Sequence, residues 1–283
     1  MLIDFWYKLV NTLPFEWAHY VFMKNALLAL LLLTPLLALL GTMAVNRRMA
    51  FFSDALGHSA LAGAGAGLLL GASNQTAVLI VFGVLWALLI SRINRTGGAS
   101  ADTNISVFSS TGIALGLVLL SQGGSFARAS SLLVGDVLAI GPNDLLWLAV
   151  ALVGGVAAWA LLYNPLLLSA VNPQLADSRG VKTRLVEDLF VCLVAVAVML
   201  AIRWVGVLLI NALLILPAAA ARNLARSAPQ HALLSVIISL LSGVLGLIAA
   251  YTLGSSVGAA VVLCAAVFYA LSLLVRRVLR IAN

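Results

Sequence analysis

The chain has 283 residues, 63% hydrophobic and only 9% charged, with a mean hydropathy of +1.14 and a formal net charge of +7. That composition excludes a soluble domain and describes a polytopic membrane protein. No basic patch with interleaved aromatics accompanies the positive charge, so no nucleic-acid partner is expected, and the cations fall between apolar runs where they orient helices.

Residues 1–19 contain Asp4, Lys8, Glu16 and several aromatics, with no short apolar core ending in a small-residue cleavage site. They read as an interfacial lead-in, not a removable signal. Trp6, Tyr7, Trp17 and Tyr20 suit a membrane boundary. Apolar runs follow at about 21–45, 50–71, 76–93, 106–121, 145–163, 188–202, 205–221, 232–252 and 257–277. The expected fold is therefore an all-α helical bundle of one transmembrane domain over 1–283, with eight or nine transmembrane helices. With the N-terminus outside, Arg47, Arg48, Arg92, Arg95, Arg179, Lys182, Arg184, Arg222, Arg226, Arg276, Arg277 and Arg280 fall on the inward side, and Lys8, Lys24, Arg128 and Arg203 on the outward side. This bias predicts N-out, C-in, and favours a tight turn near Arg203–Gly206 that splits 188–221 in two.

The second run, RRMAFFSDALGHSALAGAGAGLLLG (47–71), holds Asp54 and His58 four residues apart, on one helix face and one turn from each other. An ionisable group near a bilayer centre costs roughly 2.5 to 3.5 kcal/mol on insertion scales, which makes the pair a candidate site. A carboxylate with an imidazole is half of a transition-metal site. The plain alternative is equally open: Ser53 and Asp54 cap the helix, and His58 bonds to Asp54 or a carbonyl. Ser59, Gly63, Gly67 and Gly71 form a small-residue stripe that predicts a close helix contact beside the pair. His58 is expected about 15 Å along the span, near the middle of the bilayer.

Between Ser121 and Asp144 the chain is punctuated by Gly135, Asp136, Gly141 and Pro142, compatible with a re-entrant piece or an ordinary external loop, with Asp136 and Asp144 as caps. Residues 164–187 form the longest cytoplasmic connection. In it Asn172 has the place of an N-cap, Pro173 of the first helical residue and Gly180 of the residue past the end, so 172–181 predicts a short surface helix. Glu187 and Asp188 read as helix-dipole partners. Pro217, inside 205–222, removes a backbone donor and frees the carbonyl of residue 213, for which Asn211 is a candidate partner unless it lines a pathway. Gly254–Gly258 reads as an external turn, His19 and His231 as solvated interfacial histidines, and Cys192 and Cys264 as packing residues with no metal-binding spacing.

Taken in order, NRRMAFFSDALGHSALAG (46–63), DTNISVFSSTGIALG (102–116), SLLVGDVLAI (131–140), NPQLADSRGV (172–181) and VGVLLINALLILPAAAAR (205–222) resemble the permease subunits of ABC importers for metal ions, over about Phe15 to Arg277. The resemblance implies a bacterial inner-membrane protein, homodimeric, working with cytoplasmic ATPase subunits and an extracytoplasmic metal-binding protein. It implies that Asp54 and His58 line the path of a transported divalent ion, zinc first, with manganese or iron as the others, and that no cofactor is held permanently. It implies that Asn172, Pro173, Gln174, Leu175, Ala176, Asp177 and Gly180 couple the permease to its ATPase. Gly57 departs from the family's small hydroxylated or alanine residue, and Leu253–Gly258 lacks the acidic and proline residues expected there. With no GxxxxGK[ST] loop in the chain, ATP hydrolysis belongs to a separate subunit, so a transport subunit and not an enzyme is expected. An ion-coupled secondary transporter or channel is the alternative, but beyond Asp54 the spans offer almost no interior acids.

Overall fold

The structure, a computed structural model, describes residues 2–12, 14–122 and 135–281, and among these it is helical without strands. The helices are α1 (Leu2–Asn11), α2 (Val21–Asn46), α3 (Phe52–Leu69), α4 (Gln75–Arg95), α5 (Ala101–Gln122), α6 (Pro142–Val171), α7 (Pro173–Ser178), α8 (Thr183–Leu224), α9 (Ala228–Leu253) and α10 (Val257–Ile281). Among the described residues, seven helices are long and apolar enough to cross a membrane. α3 is absent from those seven: its glycines, serines and the Asp54/His58 pair dilute its hydropathy, and it survives as a helix because neighbouring helices bury it. Residues 123–134, the larger part of the stretch read as re-entrant piece or loop, lie outside the described residues. On its far side Asp136 accepts a bond from the Leu138 N–H at 3.0 Å and Asp144 from the Gly141 N–H at 3.1 Å, the caps expected of them.

α8 has 42 residues, which as one straight rod would be about 63 Å long, twice the thickness of a hydrocarbon core. It is not straight. Gly206 has φ 76° and ψ 163°, a conformation that glycine alone adopts freely. Near the start of α8, Glu187 pairs with Arg47 just past the end of α2; near its finish, Arg222 donates to the Val45 carbonyl at 3.1 Å. Both ends of α8 thus reach the same end of α2, and the chain doubles back at Gly206, where the charge bias placed a turn. The backbone of Gly135 packs against Val205 and Gly206 so closely that a side chain there would collide.

α2, α3 and much of α8 are buried within the bundle, and the other helices pack around them. Gly41 of α2 accepts the backbone of α8 at Leu214, one turn before Pro217, in a contact that admits no Cβ. Ser235 and Ser239 of α9 donate to the Ala38 and Thr34 carbonyls of α2 at 3.2 and 3.1 Å, the interhelical hydroxyl bonds common where lipid offers no competing partner. The closest approach to α3 differs from the expected stripe. Gly63 and Gly67 meet side chains of α4, namely Leu79, Phe82 and Val78, and Gly71 ends α3 with φ 60°. The backbone-to-backbone contact is made by α5, whose Gly112 and Gly116 lie against Ser59 and against Leu61 and Ala62.

At the end where α2, α4 and α6 finish and α8 begins, Arg47 pairs with Glu187 and reaches Ser169 Oγ at 3.4 Å, while Arg95 pairs with Asp188 and lies 3.5 Å from Glu187. Ser91 donates to Asp188 at 3.1 Å. Glu187 and Asp188 therefore do more than face a helix dipole: beyond the first turn of α8, they clamp the ends of two other helices. α6 runs through Pro165 to Val171, so the cytoplasmic connection read over 164–187 begins only at Asn172. His231 is 5% exposed and bonds Ala218 O at 2.9 Å, a buried helix-packing histidine and not a solvated one. At the opposite end α1 docks on α2: Trp6 donates to the Lys24 carbonyl at 3.0 Å, and Tyr7 to Asn25 Oδ1 at 2.6 Å.

Candidate functional site

Asp54 occupies the first turn of α3 and His58 the second. Because α3 starts at Phe52, His58 lies about 9 Å along it, less than the 15 Å expected for a run beginning earlier. No side chain caps this helix: Phe51 holds the N-cap position, and Ser53 Oγ is buried without a partner, so the capping alternative for Ser53 and Asp54 fails.

The structure brings two more elements to the pair. From the second half of α8, Asn211 Nδ2 donates to Asp54 Oδ1 at 3.0 Å; from α5, Ser109 Oγ donates to Asp54 Oδ2 at 3.5 Å. His58 Nε2 lies 3.4 Å from Asp54 Oδ1. The Asp54 side chain is 43% exposed and that of His58 27%, and with Val207, Leu208, Asn211 and Ala212 they line an open cavity of about 380 Å³. The pair thus faces an accessible space and is not wedged in a dry seam. Asn211 reaches across to α3 and lines the cavity, and among the described residues it makes no bond to the carbonyl freed by Pro217. Pro217 itself is buried and outside the cavity lining.

Two atoms here are buried with no hydrogen bond: His58 Nδ1 and Asn211 Oδ1. An orphaned acceptor and an orphaned imidazole nitrogen within one cluster are costly unless another group engages them. Among the described residues no three His, Cys, Asp or Glu side chains come together, so one copy offers one carboxylate, one imidazole, and the neutral oxygens of Asn211 and Ser109. That set suits a passing divalent cation better than a permanently caged one. Gly57, between the two ionisable residues, is where Val207 of α8 packs, and a Cβ there would collide with it. Glycine at 57 thus goes with the close approach of α8 that carries Asn211 to Asp54. Ser109 was within a recognised string but carried no signal of its own; only the fold shows which face of α5 it occupies.

The residues expected to couple to an ATPase lie elsewhere, on α7 and its flanks. Asn172 Oδ1 caps the Leu175 N–H at 3.1 Å, Pro173 opens the helix and Gly180 follows it with φ 76°. Ala176 is fully buried, whereas Gln174, Leu175 and Asp177 are exposed, and Thr183 donates to Asp177 at 3.0 Å. α7 packs on α6 and the start of α8, directly beside the ionic cluster.

A family model described as the ABC 3 transport family matches residues 19–276. The chain belongs to the ABC 3 transport family. Among its relatives, the manganese import system permease protein ScaB of Streptococcus parasanguinis is 33% identical over 255 residues, covering 90% of each chain. The high-affinity zinc uptake system membrane protein ZnuB of Haemophilus influenzae is 31% identical over 252 residues, covering 89% of this chain and 96% of the relative. A solved structure described as PsaBC from Streptococcus pneumoniae in complex with Fab matches with a TM-score of 0.81 at 27% identity, covering 99% of this chain and all of the other. The ABC 3 architecture therefore extends over the whole chain, and the family read from five sequence strings is the family found.

Proposed function

We propose that this ABC 3 chain is the membrane-spanning permease of an ATP-driven importer for a divalent first-row metal ion, and that the cavity at Asp54, His58 and Asn211 is where the ion is held in transit. The observation that carries the reading is the convergence of α3, α5 and α8 on one carboxylate whose only partners among the described residues, besides His58, are neutral donors. The bundle crosses the bacterial cytoplasmic membrane nine times, counting α3 and each half of α8, with N-terminus out and C-terminus in. This arrangement agrees with the cation bias and gathers the arginines of α2, α4 and α8 at one end.

As the ion arrives, the Asp54 carboxylate supplies charge and a hard oxygen, and His58 Nε2 supplies a nitrogen. The Asn211 carboxamide, now donating to Asp54, has a free Oδ1 that turning of the amide presents to the cation. One imidazole suits zinc, and the oxygens of Asn211 and Ser109 suit manganese; both ions occur in the names of relatives. A second copy of the chain completes the cavity across a twofold axis. Cytoplasmic ATPases push on α7 through the exposed Leu175, and an extracytoplasmic metal-binding protein delivers the ion. α7 leads through residues 179–182 into the first half of α8, which joins the half carrying Asn211 at Gly206, so a push on α7 reaches that residue through the turn.

Reconstitution of the permease with its ATPase and metal-binding protein in proteoliposomes tests this. Uptake of radiolabelled zinc or manganese is expected only with ATP inside the ATPase-bearing compartment. Uptake driven by a proton or sodium gradient without ATP would overturn the reading in favour of a secondary transporter.

A further inference from the structure

At the end of the bundle opposite the ionic cluster, α4, α6 and the first half of α8 enclose a groove of about 500 Å³. It shares no residue with the Asp54 cavity. Its polarity is graded along all three helices in the same sense. Thr76 starts α4, Asn143 starts α6 and Arg203 lies just before the Gly206 turn; one to two turns deeper the wall is Ile80, Val150 and Leu200. Three unrelated stretches of sequence thus build one surface that is polar at the helix ends and apolar below, the profile of a single bilayer leaflet.

We infer that this groove binds one membrane phospholipid with an anionic headgroup, its phosphate at Arg203 and an acyl chain along Ile80, Val150 and Leu200. Arg203 makes no ion pair among the described residues, and Asp144, which also lines the groove, is engaged with the Gly141 N–H at 3.1 Å. Trp204, 9% exposed, lines the groove with a buried indole N–H that has no acceptor among the described residues, and a phosphate or ester oxygen supplies one. Val153, one turn beyond Val150 on the same face of α6, is 71% exposed, so a chain lying in the groove runs on into the bilayer. A free anion fits the headgroup end but leaves the apolar wall of the groove unfilled, which favours a lipid. The inference needs the chain to span a membrane and is independent of what it transports.

Native mass spectrometry on the full chain in its complex, delipidated and then exposed to phosphatidylglycerol or phosphatidylcholine, reads the site. Wild type is expected to retain one phosphatidylglycerol per chain, about fivefold over phosphatidylcholine, the preference that one well-placed cation near ~1 kcal/mol confers. Arg203→Ala should erase the preference and Arg203→Lys should keep it. Val150→Trp, which fills the wall without touching charge, should lower retention of both lipids. Equal retention of the two lipids by wild type, or Val150→Trp protein of unchanged thermal midpoint that retains both, overturns the inference. So does an Arg203→Ala variant that keeps its lipid preference but no longer responds to the metal-binding protein, since the groove is then a protein-docking face.

Discussion

Two clusters of ionisable side chains in this ABC 3 chain use the same chemistry in opposite ways. At the end where α8 begins, Glu187 and Asp188 are matched by Arg47 and Arg95, with Ser91 and Ser169 filling the remaining bonds. In the cavity, Asp54 has no guanidinium or ammonium beside it among the described residues; Asn211, Ser109 and a single imidazole are its company there, and two buried polar atoms find no partner among those residues. A matched carboxylate holds helix ends together and has nothing left for a cation. A carboxylate held by neutral donors keeps its charge uncompensated, and each such bond is worth only about 1 kcal/mol net, so an arriving ion displaces it easily. Burial does not set the two apart: Glu187 and Asp188 are 33% and 32% exposed and Asp54 43%, so the difference lies in the partners.

The sharpest way to break the comparison is to neutralise each carboxylate in turn. Asp54→Asn should lower metal uptake by at least ~100-fold with little change in thermal midpoint, since loss of a direct ligand exceeds the 10–100-fold cost of losing a supporting partner; His58→Ala should follow it closely. Near-normal uptake in both would remove the cavity from the path. Glu187→Gln should do the reverse, costing about 2 kcal/mol in denaturant or thermal unfolding while metal affinity is kept, a value between those of exposed and fully buried pairs. Asn211→Ala should raise the KM for uptake about 10-fold without loss of stability, as expected of a residue that orients Asp54. The smallest effect is expected at the cap of α7, where Asn172→Ala should cost ~1 kcal/mol locally and reduce uptake per ATP hydrolysed. An unchanged transport-to-ATP ratio would separate α7 from coupling.

Much of the scaffold was legible because a membrane leaves few choices. Runs of about 20 apolar residues must be helices, and the placement of arginines alone called for the turn that Gly206 makes. The cap at Asn172 and the positive φ of Gly180 followed from local grammar. Helix faces were harder to read. A helix apolar on all sides has no periodicity to say what it touches, so the pairing of α3 with Gly112 and Gly116 of α5 was invisible, as was the burial of His231. The two ends of the site were stated by spacing, Asp54 and His58 being four residues apart. Its other half was read only in part: Asn211 was singled out without its partner and Ser109 not at all, since they lie 157 and 55 residues from Asp54 in sequence and meet it only through helix packing. Length was misjudged at the end of α6: the apolar run read as 145–163 continues as helix through Pro165 to Val171.

The central claim is that the carboxylate and imidazole of α3 touch the transported ion. Anomalous diffraction at the manganese and zinc absorption edges, from the assembled transporter equilibrated with each metal, tests it most directly. The account predicts a peak about 2.0–2.6 Å from His58 Nε2 and an Asp54 oxygen, absent in crystals of the His58→Ala protein. A well-occupied metal elsewhere in the bundle, with this cavity empty in every metal-loaded crystal, would contradict it.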